Sequence, residues 1–192
     1  MALKESTMLA LGTHMPDFEL PDVCTKHKIS PESFREKRAV LVMFICRHCP
    51  YVVHVQNELT RVVRDYEGKH LGILGISSND ATEYPADSPA GLKAMAEQLG
   101  WNFPYCYDET QAVAKAFTAA CTPDFFVFDH QNRLVYRGQL DNSRPGNGQP
   151  VTGQDLRNAL DAVLAGHPVA TEQRPSAGCS IKWKSGNEPV YA

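Results

Sequence analysis

Ala39-Val-Leu-Val-Met-Phe-Ile45 runs directly into Cys46-Arg-His-Cys49-Pro50-Tyr51-Val52, and this stretch decides the fold. An unbroken apolar run rich in β-branched residues suits a strand buried on both faces, as in parallel or mixed sheets covered by helices. The period then changes. Val52, Val55, Leu59, Val62, Val63 and Tyr66 recur at helical spacing, while His54, Glu58, Arg61 and Asp65 take the other face. Cys46 therefore falls where a strand ends, and Cys49 in the first turn of a helix.

The same alternation continues outward. Leu71-Gly-Ile-Leu-Gly-Ile76 reads as a second buried strand. The polar stretch 79–87 leads to Ser88-Pro89, which opens a helix with Leu92, Met95, Ala96 and Leu99 inward and Gly100 past its end. Residues 103–107 suit a short strand. Asp108-Glu-Thr-Gln111 has capping-box form before a helix carrying Val113, Ala116 and Phe117. Phe125–Phe128 and Leu134–Tyr136 form a hairpin, and Thr152-Gly-Gln-Asp155 caps a last helix with Leu156, Leu160, Val163 and Leu164 inward. On the N-terminal side, Asp17–Leu20 and Lys28–Ile29 are short strands, and Ser30-Pro31 starts a helix reaching about Arg38. The expectation is an α/β domain over 1–167 with a mixed central sheet, helices on both faces and an N-terminal β extension. Residues 168–192 form a C-terminal tail whose one apolar patch is Ile181-Lys-Trp183.

Composition agrees with one globular domain. The chain has 192 residues, 43% hydrophobic and 21% charged. Nineteen basic against 22 acidic residues give a net charge of −3, and no basic run exists, which excludes a nucleic-acid binder relying on bulk charge. No apolar run is long enough to span a bilayer. Lys4-Glu5 breaks up the N-terminal region, so no secretory signal is read there and a cytoplasmic location is expected. Six cysteines in this length are no disulfide scaffold.

The chemistry concentrates in Cys46-Arg-His-Cys49. Two intervening residues let both sulfurs reach disulfide distance. A helix start offers unpaired N–H groups and partial positive charge, and Arg47 and His48 can both be cationic; each effect stabilises a thiolate. C-x-x-C after a strand and before a helix is a redox signature. A second feature is Cys121-Thr122-Pro123 before the hairpin, where a proline suits a strand's start and can be cis. Cys121 either faces the pair or is a small buried hydrophobe.

On the Cys46-Arg-His-Cys49 motif and the Thr122-Pro123 step, the chain resembles the thioredoxin-like superfamily. Gly12-Thr-His-Met-Pro16-Asp17-Phe18-Glu19-Leu20 is similar to the opening of its AhpC/TSA branch, which includes peroxiredoxins and thiol–disulfide oxidoreductases. His48-Cys49-Pro50-Tyr51-Val52 with the tail Gly178-Cys179-Ser-Ile-Lys-Trp183 resembles a peroxiredoxin-like subgroup. The resemblance implies that Pro123 is the cis-proline facing the cysteines and that Cys46 is the more exposed nucleophile. Peroxiredoxins carry Pro seven and Thr three residues before the reactive cysteine. Here those positions hold Val42 and Cys46, or Ala39 and Met43, so neither frame matches.

The expected function is thiol–disulfide exchange through Cys46 and Cys49. Cys46 carries the low-pKa thiolate, His48 stabilises it, and Arg47, Thr122 and Pro123 shape the substrate groove. The alternatives are a peroxiredoxin-like thiol peroxidase and a non-catalytic copper- or partner-binding module. Cys121 and Cys179 stand as additional redox thiols, with Cys179 expected to be dispensable. No metal site is expected, since zinc usually takes four ligands and no second close pair exists, and no cofactor is required. The expected partners are a protein or small-molecule disulfide or thiol, with a thiol reductant or oxidant.

Overall fold

The computed structural model describes residues 3–191. Its elements are β1 (Leu3–Glu5), β2 (Leu20–Pro21), β3 (Lys28–Ile29), β4 (Ala39–Phe44), α1 (Pro50–Asp65), β5 (Leu71–Ser77), α2 (Pro89–Leu99), β6 (Tyr105–Tyr107), α3 (Ala112–Ala116), β7 (Cys121–Thr122), β8 (Asp124–Asp129), β9 (Leu134–Gly138), α4 (Gln154–Leu164) and β10 (Ala177–Ser180). The central sheet has the order β6-β5-β4-β8-β9. β4, β5 and β6 run parallel, while β8 and β9 are antiparallel, so the sheet is mixed. This is the thioredoxin-like arrangement.

β4 lies in the middle and every one of its residues is buried, as an unbroken apolar run requires. Its side chains alternate between two cores. Leu41 and Met43 pack with Val52, Val55 and Leu59 of α1, Leu92 and Met95 of α2, and Leu156 and Leu160 of α4. Val40, Val42 and Phe44 pack on the other face with Val113 and Phe117 around α3, and with Phe18 and Phe34 of the N-terminal segment. α2 begins where Ser88 Oγ accepts the Gly91 N–H at 3.3 Å and ends at Gly100, whose φ of +66° suits glycine. No helix among the described residues is long and apolar enough to cross a membrane.

The N-terminal segment and the tail differ from the sequence expectation. The helix expected over 30–38 is a single 3₁₀ turn, Pro31–Phe34, in which Phe34 alone is buried; with no second apolar residue to bury, there is nothing to extend it. β1 and β10 were not foreseen as strands. They form a separate sheet of order β1-β10-β7, with β10 in the centre. Leu3 is exposed, so backbone pairing rather than an apolar face holds β1, and such pairing leaves no periodic pattern to read.

Candidate active site

β4 delivers its chain to the site and α1 takes it away. The Ile45 N–H still bonds the Ile76 carbonyl at 3.0 Å, continuing the parallel ladder to the edge of the motif. α1 then starts at Pro50, which needs no N–H partner at that position. Cys49 is its N-cap, with φ −71° and ψ 121°. The positive helix end therefore lies on Cys49, three residues beyond Cys46. This reverses the expectation that the helix start serves a Cys46 thiolate.

Both sulfurs are fully buried, so Cys46 is not the exposed member of the pair, and they carry no disulfide. Burial pushes the Cys46 thiol well up, and hydrogen bonding to Cys49 and the nearby Asp87 charge push it further. Cys49 moves the other way. The Cys46 thiol donates to it, against the cost of burial, and the Cys179 thiol, the Thr122 side chain and the Val52 N–H also favour its anion. Of the two sulfurs, Cys49 is the one whose ionisation the surroundings favour.

The Thr122–Pro123 peptide bond is cis, as the resemblance implied. Thr122 faces both cysteines: its Oγ1 lies 3.4 Å from Cys46 Sγ, and its carbonyl accepts the Cys49 thiol at 3.2 Å. Strand alternation turns Cys121 away. Its thiol reaches the Pro123 and Ser176 carbonyls at 3.7 and 3.9 Å, and it is fully buried, with its ionisation suppressed by desolvation. The reading in which Cys121 faces the pair is set aside. β10 brings in Cys179 instead. Cys179 pairs in register with Thr122, and its thiol hydrogen-bonds Cys49.

The residue that sequence reasoning missed is Asp87, fully buried on a 3₁₀ turn over 85–87. One oxygen accepts the backbone N–H groups of Arg47 and His48 at 2.7 and 3.2 Å. The other accepts Asn79 Nδ2 at 2.8 Å and pairs closely with His48 Nδ1. Asn79 in turn accepts the Lys182 N–H at 2.8 Å, so the tail is tied to the same network. In sequence, Asp87 is one of several acids in a polar loop, and nothing marks it as buried. His48 is held by Asp87 and stacks on Tyr84 at 4.9 Å between ring centroids. The carboxylate that holds the ring sets one of its nitrogens within 4.8 Å of Cys46 Sγ, beside the motif. Arg47 is exposed, and its guanidinium bonds the Gly91 carbonyl at 3.3 Å. A cleft of about 450 Å³ bordered by Asp80, Tyr84, Lys182 and Trp183 adjoins His48's stacking partner.

The fold also groups donors that sequence spacing kept apart. Cys46 Sγ, a ring nitrogen of His48 and a carboxylate oxygen of Asp87 lie within 4.8 Å of one another. Thiolate, imidazole and carboxylate are zinc donors, but structural zinc takes four ligands. Asp87 already spends both oxygens on four hydrogen bonds. The donor set fits a metal only by giving up the bonds that hold the motif in place.

The fold that carries this site has counterparts among solved structures. An uncharacterized conserved protein from Geobacillus kaustophilus is 54% identical, with a TM-score of 0.93, covering 96% of this chain and 97% of its own. A hypothetical protein from Sinorhizobium meliloti 1021 is 47% identical, with a TM-score of 0.93, covering 95% and 99%. The thioredoxin domain of a thiol-disulfide oxidoreductase from Bacteroides vulgatus shares the fold at 20% identity, with a TM-score of 0.56, covering 67% of this chain and 88% of its own. No curated protein matches the chain. The AhpC/TSA family model matches residues 11–137, from the start of the Gly12–Leu20 segment through the cysteine motif, the cis-proline and the hairpin; the chain belongs to the AhpC/TSA family.

Proposed function

We propose that this chain is a thiol–disulfide oxidoreductase whose nucleophile is Cys49 and whose resolving thiol is Cys46, the reverse of the order read from sequence. The observation that carries this reading is the set of donors converging on Cys49 at the N-cap of α1, beside cis-Pro123. Stabilising the anion there makes Cys49 the sulfur that attacks. The Cys49 thiolate attacks one sulfur of a substrate disulfide. A Cys49–substrate bond forms, the substrate disulfide breaks, and the other substrate sulfur leaves as a thiolate. Cys46 then gives up its proton and attacks Cys49 Sγ, forming the Cys46–Cys49 disulfide and releasing the second substrate thiol. Asp87 and His48 hold the intervening peptide, and Thr122 and Pro123 form the wall the substrate meets. The reducing cytoplasm is the proposed compartment, with a thiol reductant returning the pair to dithiol form.

A second reading is favoured by one observation. Neither sulfur is accessible, which suits a small oxidant such as a hydroperoxide better than a protein disulfide. Cys49 would then become a sulfenic acid that Cys46 condenses with. One experiment tests both. Cys46→Ser and Cys49→Ser are each incubated with an aromatic disulfide or with hydrogen peroxide, and the adduct is mapped by mass spectrometry. The proposal expects the first mixed disulfide to form on Cys49 in Cys46→Ser and none in Cys49→Ser. Trapping on Cys46 instead overturns it, and faster turnover of peroxide than of disulfide promotes the second reading.

A further inference from the structure

We infer that Cys179 is a third redox thiol, able to take over the disulfide from Cys46 by bonding to Cys49. This inference rests on the proposed role of Cys49 and extends it to a residue outside the motif.

Four observations place Cys179 for that role. Its thiol is in hydrogen-bond contact with Cys49. Its strand position is fixed, because Cys179 pairs with Thr122 in the β10–β7 register, and the Thr122 carbonyl is the group that accepts the Cys49 thiol. Gly178 permits the approach: a Cβ there would lie 2.0 Å from the Thr122 carbonyl oxygen and 3.2 Å from Pro123 Cδ, so only glycine lets β10 lie this close to the cis-proline. The neighbouring tail is anchored as well, since Ser176 Oγ donates to the Pro123 carbonyl at 2.6 Å. The tail is thus built into the site. The backbone N–H of Tyr51 also bonds Cys179, so the start of α1 serves two of the three sulfurs.

Cys49 therefore lies in contact with a thiol on either side. The exchange balances within the chain. Starting from the Cys46–Cys49 disulfide, the Cys179 thiolate attacks Cys49 Sγ. The Cys49–Cys179 bond forms, the Cys46–Cys49 bond breaks, and the proton from Cys179 ends on Cys46. No outside oxidant is consumed, because the disulfide has only moved. Sulfurs already in contact need to close to about 2.05 Å. The consequence is a site with two oxidised forms, one of which returns Cys46 to the thiol state while Cys49 stays blocked by the tail.

The test uses the full chain with Cys46→Ser, loaded with 5,5′-dithiobis(2-nitrobenzoate) and followed by release of the coloured thiolate and by peptide mapping. The expected result is a cap on Cys49 that leaves in a first-order step, giving a Cys49–Cys179 linkage. In Cys46→Ser/Cys179→Ser the cap persists. A cap on Cys49 that also persists in the single variant overturns the role of Cys179 and leaves Cys49 as nucleophile. A cap that never forms on Cys49 overturns both. The oxidised wild-type chain gives a check free of substitutions. Both linkages are expected in its peptide map, and Cys46–Cys49 alone overturns the exchange.

Discussion

The carboxylate of Asp87 accepts the backbone N–H of Arg47 at 2.7 Å, across forty residues of sequence. A buried acid thereby fixes the peptide between the two cysteines, and the same carboxylate holds the His48 N–H and ring and the Asn79 amide. Asp87→Ala leaves these donors without an acceptor. Each buried unsatisfied group costs about 1–3 kcal/mol. A loss of about 3 kcal/mol is expected in chemical denaturation, with each kcal/mol lowering Tm by about 2–4 °C. Asp87→Asn, which removes the charge, lowers the pKa of the Cys46 thiol, because the Asp87 charge helps raise it. A loss below about 1 kcal/mol in Asp87→Ala shows that the network does not hold the motif.

Ionisation of Cys49 gives a pH signature. A free thiol titrates near about 8.5, and Cys49 is lowered to about 4, chiefly by the Cys46 thiol. An acid whose folded pKa lies below its unfolded value stabilises the fold fully above the unfolded pKa, and this stabilisation is lost as pH falls through the folded value. The reduced wild-type chain therefore loses stability relative to Cys49→Ser as pH drops from about 8.5 toward about 4. Thiolate absorbance at 240 nm follows the same group. Cys46→Ala moves the transition upward, and an unmoved transition shows that Cys46 is not the main donor.

Gly178→Ala tests how tightly the tail is seated. Its Cβ meets a backbone carbonyl, which cannot swing aside as a side chain would. Overpacking of this kind costs about 1–3 kcal/mol. The expected outcome is lower Tm together with loss of the β10–β7 pairing, seen as faster amide exchange at Cys179 and Ser180. Unchanged exchange shows that the close approach is not required.

Arg137 and Asp124 form a fully buried ion pair at 3.2 Å beneath the cis-proline loop. Ser6 also bonds Asp124, and Arg137 donates to the Thr118 carbonyl at 2.8 Å. Removing one partner strands a buried charge, at about 3–5 kcal/mol. Arg137→Met is expected to fall in that range, and Arg137→Met/Asp124→Leu to recover part of it. A double variant no more stable than the single places the cost in the Thr118 contact instead of the charge.

Much of the fold was legible. The central strand β4 takes up Ala39–Phe44 of the apolar run, Val52 to Val63 form the buried stripe of α1, and Ser88 and Gly100 bound α2 as their chemistry requires. The motif and Thr122-Pro123 were legible as a constellation. Which of the two sulfurs the surroundings favour as an anion was not. Cys46 and Cys49 are equivalent by spacing, and the difference between them comes from where α1 begins and from which thiols and carbonyls fold against each.

The sheet-and-helix alternation and the cysteine motif at its centre can be read along the chain, because periodic apolar burial and turn chemistry are local and repeat. The site's electrostatics arise from packing between distant segments. Asp87, Thr122 and Cys179 reach the cysteines through separate elements far along the chain. Their effects on a thiol depend on distance and burial, which no spacing in the sequence encodes.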